Sequence, residues 1–184
     1  MVRHAKAGQP IGVPEPDWPL TDEGERQADA LASFLEAQGI DHIYASPFLR
    51  AQQTLAPTAD LMGHTTHILD DLRERRLADI LIEDFVSALR DSFADDTLRL
   101  PGGETLAECR TRVKGAIRQM SAAHEGQSIA ACSHGAAIAS LISDLDDVEG
   151  FGFWQSLKNP HVIKLTIEDG VIGWRDVGRA DGYV

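Results

Sequence analysis

Three short segments of the sequence carry side chains that could do catalytic chemistry. They are Arg3-His4 near the start, Arg50 after a Ser-Pro pair, and His134 between a serine and a glycine. An arginine offers a planar fork of donors that suits phosphate or carboxylate. A histidine can act as a nucleophile, a base or a metal ligand. A basic pair near an amino terminus is by itself most simply a solvated end, so the interpretation of Arg3-His4 depends on partners elsewhere in the chain.

The elements around these segments alternate between strand-like and helix-like patterns. Hydroxyl caps, acidic first turns and apolar residues three and four apart predict helices, and short apolar runs between turn signals predict strands. The predicted helices cover 21–38, 48–62, 80–93, 106–124 and 136–142. After a short first strand, the predicted strands cover 40–45, 67–72, 128–132, 162–167 and 171–177, the last two as a hairpin. This alternation predicts an α/β fold with a mostly parallel central sheet.

The three segments fall where predicted strands end. Arg3-His4 follows the first strand, His134 follows the strand over 128–132, and Arg50 lies on the first helical turn after the strand over 40–45. The carboxyl ends of parallel strands meet at one edge of a sheet, where ligands bind in α/β proteins. We therefore expect two guanidiniums and two imidazoles to converge. A tetrahedral phosphoryl group, with charge on three equatorial oxygens, would explain such a cationic cluster.

The composition is typical of a globular protein, with 184 residues, 43% of them hydrophobic and 25% charged. The net charge of -12 argues against nucleic acid or an anionic membrane surface as the main partner. A small anionic substrate stays possible, because a local pocket can be basic on an acidic protein. Cys109 and Cys132 form no CxxC pair and predict free thiols. With no apolar run of membrane length and no visible signal peptide, we expect a cytoplasmic protein.

Five blocks of the sequence, in order, resemble the motifs of branch 1 of the histidine phosphatase superfamily. This group includes cofactor-dependent phosphoglycerate mutases, broad-specificity phosphatases and phosphohistidine phosphatases. The blocks, each given with the family motif it resembles, are Arg3-His4 (RHG), Leu20-Thr21-Asp22-Glu23-Gly24-Glu25-Arg26-Gln27-Ala28 (LTxxGxxQA), Ser46-Pro47-Phe48-Leu49-Arg50-Ala51-Gln52-Gln53-Thr54 (SPLxRAxQT), Pro101-Gly102-Gly103-Glu104-Thr105 (PGGES) and Ser133-His134-Gly135 (SHG).

The resemblance implies a phosphoglycerate mutase-like fold, which is a three-layer α/β/α sandwich, and a role for each matched residue. His4 would be the nucleophile that takes the phosphoryl group on a ring nitrogen. Arg3, Arg50 and His134 would hold the equatorial oxygens. Because these groups already supply the positive charge that a phosphoryl group needs, we expect no metal and no cofactor.

The resemblance also implies a general acid in a leucine-x-glutamate setting shortly after the third strand. Glu74 fits that setting and would protonate the leaving oxygen and then help to activate water. Asp79 and Glu83 are nearby alternatives. The neighbouring Arg75 and Arg76 predict a solvated surface more than a substrate contact.

Three positions depart from the family pattern. Ala5 and Ala78 stand where glycines are usual, and Pro10 stands where many mutases and broad-specificity phosphatases carry an asparagine. The chain is also shorter than typical mutases and lacks their long insert. These features favour hydrolysis of phosphomonoesters or phosphohistidine through a phosphohistidine on His4. Mutase-type phosphoryl transfer and a non-catalytic module that binds a phosphorylated ligand are the alternatives.

We expect one domain over 1–184, with a helical insert at about 78–105 covering the active-site crevice. The expected partner is a small phosphorylated metabolite or a phosphoprotein, and the sequence leaves the oligomeric state open. Only Met1 and Val2 precede Arg3, whereas a strand usually needs about five residues. Either the first strand is very short or the natural chain begins upstream. In both cases we predict that Arg3 is paired in the centre of the sheet.

Overall fold

A mixed six-stranded sheet forms the centre of the molecule. The computed structural model describes residues 1–146 and 148–178. In the order β3-β2-β4-β1-β5-β6, the first four strands are parallel, and β5 and β6 form an antiparallel hairpin beside β1. The predicted α/β class and hairpin are therefore confirmed. The strands are β1 (Val2–Arg3), β2 (His42–Ala45), β3 (Thr66–Ile68), β4 (Ile129–Ser133), β5 (His161–Glu168) and β6 (Val171–Gly178).

Two of the helices begin at capping signals that the sequence shows. Thr21 accepts a hydrogen bond from the Gly24 amide at the start of α1, and Thr105 and Glu108 form a reciprocal capping box at the start of α4. Within the described residues, no helix is long and apolar enough to cross a membrane. The helices are α1 (Asp22–Ala37), α2 (Leu49–Met62), α3 (Phe85–Ala94), α4 (Leu106–Ala123), α5 (Gly135–Leu145) and α6 (Gly150–Ser156).

Helices cover both faces of the sheet. Side chains alternate between the two faces along a strand. Ile43 of β2 and Ala130 of β4 pack in one core with residues of α1 and α2. Their neighbours Tyr44 and Ala131 pack on the other side with residues of α4 and α5. The result is the three-layer α/β/α sandwich that the family resemblance implied.

Strand β1 is short but lies in the middle of the sheet. Arg3 pairs with Ser133 of β4 on one side and with His161 of β5 on the other. The His4 amide continues the ladder by donating to the Ser133 carbonyl at 3.1 Å. The predicted central pairing of Arg3 is therefore confirmed.

Two sequence-based boundaries were wrong in the region after α2. The edge strand ends at Ile68 rather than residue 72, because the chain forms a 3-10 turn over Asp70–Leu72 and Leu72 is fully buried against α4. Helix α3 begins at Phe85 rather than residue 80, because Asp84 caps it by accepting from the Ser87 amide. The apolar residues that suggested an earlier start are exposed, with Leu81 at 93% exposure.

Helix α6 has no counterpart among the predicted elements. It is capped by Glu149, which accepts from the Phe151 and Gly152 amides. Leu89 of α3 and Leu77 pack with Phe151 of α6 and with Ala136 of α5. The block that was predicted as an insert is thus anchored beside the amino end of α5. The predicted single domain extends over residues 179–184, which lie outside the described residues.

Candidate active site

The five predicted site residues lie together at the carboxyl end of the parallel strands. The ring centroids of His4 and His134 are 5.1 Å apart, and Arg50 Nε lies 3.2 Å from His4 Nε2. The charge on Arg3 lowers the pKa values of His4 and His134, and the Glu74 carboxylate opposes the lowering of the Arg3 pKa by burial, so Arg3 and Glu74 belong to the same cluster. The two guanidiniums and two imidazoles therefore converge at the strand ends, as the sequence predicted.

The His4 ring is held in one tautomer. Its Nδ1 lies 2.7 Å from the Ala5 carbonyl oxygen, which can only accept, so Nδ1 carries the proton. Its Nε2 then has a free lone pair, which accepts from Arg50 Nε. Burial, together with the charges of Arg50 and Arg3, lowers the pKa of His4 to about 3. The ring is therefore neutral at ordinary pH, with Nε2 available as a nucleophile.

The loop that follows β1 is fixed by residues of the family blocks that do no chemistry themselves. Thr54 Oγ1 accepts from the buried Ala5 amide at 2.9 Å, and Gln27 Oε1 accepts from the Lys6 amide at 2.9 Å. Gly24 lies so close that a Cβ there would come within 2.1 Å of the Lys6 carbonyl oxygen. Helices α1 and α2 thus tie down the segment that carries the nucleophile.

Arg50 is 4% exposed and all three of its nitrogens are engaged. Besides Nε on His4, Nη1 donates to the Glu15 carbonyl at 2.9 Å and Nη2 donates to Glu15 Oε1 at 2.8 Å. The guanidinium also lies over the Phe48 ring, 4.9 Å from its centroid, and 5.8 Å from the centroid of Trp18. The loop over 9–20 therefore reaches the site through Glu15 and Trp18.

Arg3 reaches the site from the centre of the sheet. Its Nη1 donates to the Leu157 carbonyl at 2.7 Å, while its buried Nε has no partner among the described residues. A Cβ on Gly135 would lie 3.3 Å from Arg3 Cζ and 3.0 Å from Trp154 Nε1. Glycine therefore follows His134 because a larger residue would crowd the guanidinium.

His134 is completely buried beneath the cluster. Its Nε2 lies 2.7 Å from Ser46 Oγ, and Nδ1 has no partner among the described residues. Burial is the main cause that lowers the pKa of His134 well below its ordinary value, and the nearby His4 and Arg50 lower it further. This ring is therefore also neutral. The neighbouring Ser133 Oγ donates to the Leu72 carbonyl at 2.7 Å, a structural contact between β4 and the 3-10 turn over Asp70–Leu72.

Glu74 lies at the amino end of α5. Its Oε1 accepts from the Arg75 and Ala137 amides at 2.8 and 3.0 Å, and its Oε2 accepts from the Ala136 amide at 3.3 Å. Burial raises the pKa of the Glu74 carboxyl, although these donors and Arg50 favour the anion. The Glu74 carboxyl is thus fixed in position, and its raised pKa favours the protonated form.

The block Pro101-Gly102-Gly103-Glu104-Thr105 holds the backbone of the segment that carries Glu74. Arg112 of α4 binds the Glu104 carboxylate through Nε and Nη2 at 2.6 and 2.7 Å, and donates to the Glu74 carbonyl at 3.2 Å. A Cβ on Gly103 would come within 2.1 Å of the Leu77 carbonyl oxygen. Arg75, which was predicted to lie on the surface, is buried and donates to Ser92 Oγ at 2.6 Å. That prediction was wrong because charge alone does not report burial.

Sequence reasoning missed three residues of the site. Glu15 binds Arg50, the Trp154 indole borders Gly135 together with the Arg3 guanidinium, and Asn159 Nδ2 donates to the His4 carbonyl at 2.7 Å. None follows a predicted parallel strand. The proline-rich composition around Glu15 marked only a loop, and the aromatic cluster over 151–154 was the one signal for Trp154.

Metal-binding clusters and cavities are the other features that could mark a functional site. The described part of the chain contains no group of three or more His, Cys, Asp or Glu side chains that could hold a metal ion. A cavity of about 600 Å³ lies between β4 and β5 and is lined mainly by apolar residues, with none of the five site residues among them. We place the candidate site at the polar cluster rather than at this cavity, because the cluster holds the reactive groups.

An α/β sandwich with two neutral histidines and two guanidiniums at its strand ends has the chemistry that suits a phosphoryl group. The family model of the histidine phosphatase superfamily (branch 1) matches residues 1–178, and the chain belongs to that family. A phosphoserine phosphatase 1 from Hydrogenobacter thermophilus is 27% identical over 172 residues, covering 84% of this chain and 78% of the relative. A probable phosphoglycerate mutase GpmB from an Enterobacter species is 33% identical over 138 residues, covering 70% and 64%.

The solved structures agree with the fold. A mycobacterial glucosyl-3-phosphoglycerate phosphatase in complex with inorganic phosphate superposes with a TM-score of 0.75 at 22% identity, covering 97% of this chain and 94% of that one. The family and the names of its relatives indicate an enzyme that acts on phosphate esters. Because the relatives include both phosphatases and mutases, they leave the type of reaction open.

Proposed function

We propose that this protein is a phosphatase that hydrolyses phosphomonoesters through a covalent phosphohistidine on His4. The contact that carries the proposal is Arg50 Nε on His4 Nε2 at 3.2 Å, with His4 Nδ1 held on the Ala5 carbonyl. This arrangement presents a neutral nitrogen nucleophile beside a cation that can neutralise an incoming phosphoryl group.

In the first step, the His4 Nε2 lone pair forms an N–P bond while the ester P–O bond breaks. The leaving oxygen takes a proton from Glu74, whose raised pKa keeps it protonated over a wider pH range than usual. Arg3 and Arg50 would hold the equatorial oxygens. The unpaired Arg3 Nε and His134 Nδ1 support this assignment, because a bound phosphoryl group could satisfy both buried atoms.

In the second step, the Glu74 carboxylate takes a proton from a water molecule whose oxygen attacks phosphorus. The N–P bond breaks, inorganic phosphate is released, and neutral His4 and protonated Glu74 are restored. The protein itself supplies a nucleophile, an acid and base, and two cations. The proposed mechanism therefore draws its charge stabilisation from side chains and needs no metal ion.

Hydrolysis is favoured over mutase chemistry by the residues at the mouth of the site. The Glu15 carboxylate on Arg50 makes a poor second pocket for a bisphosphorylated cofactor. The block over 78–105, which packs on α5 and α6, would cover the crevice and contact the leaving group. Small phosphorylated metabolites and phosphohistidine on proteins are the proposed substrate classes, in the cytoplasm.

The test is hydrolysis of p-nitrophenyl phosphate in the presence of EDTA. We expect activity in the native protein and a loss of at least about a thousandfold in His4→Ala. His67→Ala, on the exposed edge strand β3, is the matched control and should keep full activity. A phosphoprotein that is stable in base and labile in acid should accumulate with a labelled substrate.

Each alternative gives a different result. Activity that survives His4→Ala unchanged would contradict the proposal. Interconversion of 2- and 3-phosphoglycerate after addition of 2,3-bisphosphoglycerate would indicate a mutase. Tight phosphate binding with no labelled phosphohistidine would indicate a binding module.

A further inference from the structure

The Glu15 carboxylate lies directly beside the nucleophile. In a guanidinium, Nε and Nη2 share one edge, because the fork is planar and rigid. Nε of this edge donates to His4 Nε2 at 3.2 Å, and Nη2, which carries a second N–H outside this edge, donates to Glu15 Oε1 at 2.8 Å. Glu15 Oε1 and His4 Nε2 are therefore bound by two adjacent nitrogens of Arg50.

A phosphoryl group on His4 must compete for that edge. Phosphate prefers to bind arginine through two parallel hydrogen bonds, and the Nε–Nη2 edge can supply them. A phosphoryl group on Nη2 would share this nitrogen with the Glu15 carboxylate and weaken the hydrogen bond between Glu15 and Arg50. The main chain of Glu15 stays in place, because the Glu15 carbonyl accepts from Nη1, the other terminal nitrogen, at 2.9 Å. The carboxylate is half exposed and remains at the mouth of the site.

A Glu15 carboxylate whose bond to Arg50 is weakened can discriminate between substrates by the charge of their leaving groups. A substrate with an ammonium group near the ester can replace Arg50 as the partner of Glu15. A substrate with a carboxylate or second phosphate there places two anions together, which is unfavourable. No other carboxylate of the described residues is hydrogen-bonded to Arg50.

We propose that Glu15 is a specificity-determining residue that selects phosphomonoesters with a cationic or neutral leaving group over those with an anionic one. This inference rests on the proposed phosphatase function. It assigns a chemical task to the loop over 9–20, which the family motifs leave undefined.

The test compares two substrates of equal length, phosphoethanolamine and phosphoglycolate, with p-nitrophenyl phosphate as the reference. The native protein should have the larger kcat/KM for phosphoethanolamine. Glu15→Gln should lower the ratio of the two kcat/KM values by about tenfold, the size expected for one nearby charge. Asp17→Asn is the matched control, because Asp17 lies in the same 3-10 turn without a side-chain contact to Arg50, and it should leave the ratio unchanged.

Phosphoethanolamine and phosphoglycolate are also tested as competitive inhibitors of p-nitrophenyl phosphate hydrolysis. If one of them is not hydrolysed, the ratio of their inhibition constants replaces the ratio of kcat/KM values. An unchanged ratio in Glu15→Gln, with p-nitrophenyl phosphate activity retained, would overturn the inference alone. Equal losses on both compounds would also overturn it and show that Glu15 only positions Arg50. Absence of His4-dependent hydrolysis in the native protein would overturn the proposed function, and this inference with it.

Discussion

The two sides of the candidate site are built in different ways. The phosphoryl side consists of Arg3, His4, Arg50 and His134, which lie at strand ends or on a first helical turn. The side chains of Arg50 and His134 are almost entirely buried, and the backbone around His4 is fixed by Thr54 and the other block residues. The rim, over 9–20 and 78–86, carries exposed apolar residues such as Leu81.

This contrast separates chemistry from selectivity. On the phosphoryl side, each residue is constrained by burial, hydrogen bonding or close backbone approach, so few residue types fit. On the rim, few such constraints act, so the same fold can present different residues to different leaving groups. Changes on the phosphoryl side should therefore affect every substrate, whereas changes on the rim should affect the choice among them.

The largest effect after loss of the nucleophile is expected for Glu74→Gln. The amide keeps the size of the carboxyl but cannot give a proton to the leaving oxygen. Hydrolysis of ethyl phosphate, a poor leaving group, should fall by about a hundredfold or more. Hydrolysis of p-nitrophenyl phosphate should fall much less in its first step, because p-nitrophenolate leaves without a proton. Steady-state kinetics on both substrates, with product burst amplitudes, measure the difference.

Glu36→Gln, on the exposed last turn of α1, is the matched control and should leave both rates unchanged. The native kcat/KM for ethyl phosphate should also fall as the pH rises through the raised pKa of Glu74, which gives a descending limb on the alkaline side of that pKa. Glu74→Gln should lack this alkaline limb. Equal losses on the two substrates, or an alkaline limb that survives in Glu74→Gln, would assign the acid to another residue.

A smaller effect is expected from the tie that holds the nucleophile loop. Thr54→Val leaves the buried Ala5 amide without its acceptor and should lower the free energy of unfolding by about 1–3 kcal/mol. Thr58→Val, one turn further along α2, is the control. Thr58 Oγ1 is buried with no partner among the described residues, so its loss should be neutral or stabilising.

Urea denaturation of both variants measures this difference. The same Thr54→Val protein should lose activity on p-nitrophenyl phosphate, phosphoethanolamine and phosphoglycolate alike, because the nucleophile rather than the rim is disturbed. If both variants unfold at the same urea concentration, Thr54 does not contribute the stabilising hydrogen bond assigned to it.

The same contrast explains what the sequence predicted. Arg3, His4, Arg50 and His134 could be placed because strand ends converge and because their blocks have fixed spacing. Glu15 could not be placed, since its contact with Arg50 depends on the path of a proline-rich loop. Leu81 suggested a helix by its spacing, but no core faces it and the cap at Asp84 sets the helix start. Local patterns predict elements well where tertiary packing agrees with them.

The smallest effect expected is on the pH dependence of stability, and it separates the buried histidines from exposed carboxylates. The folded pKa of His4 is lowered to about 3 from the ordinary value of 6.5. Between these values the unfolded chain binds a proton that the folded protein does not, so stability falls as the pH falls. The exposed Asp84 and Asp95, whose pKa values are lowered by local hydrogen bonds, contribute only nearer their ordinary value of 3.8.

His4→Gln removes one of these histidines. Between pH 6 and pH 5, its free energy of unfolding should fall less steeply than that of the native protein, by about 1 kcal/mol per pH unit. Between pH 7 and pH 8 the two slopes should agree, because His4 is neutral in both the folded and the unfolded chain there. Urea denaturation at these four pH values measures the slopes. Identical slopes between pH 6 and pH 5 would mean that His4 is protonated in the folded protein, and that the phosphoryl side does not hold a neutral nucleophile.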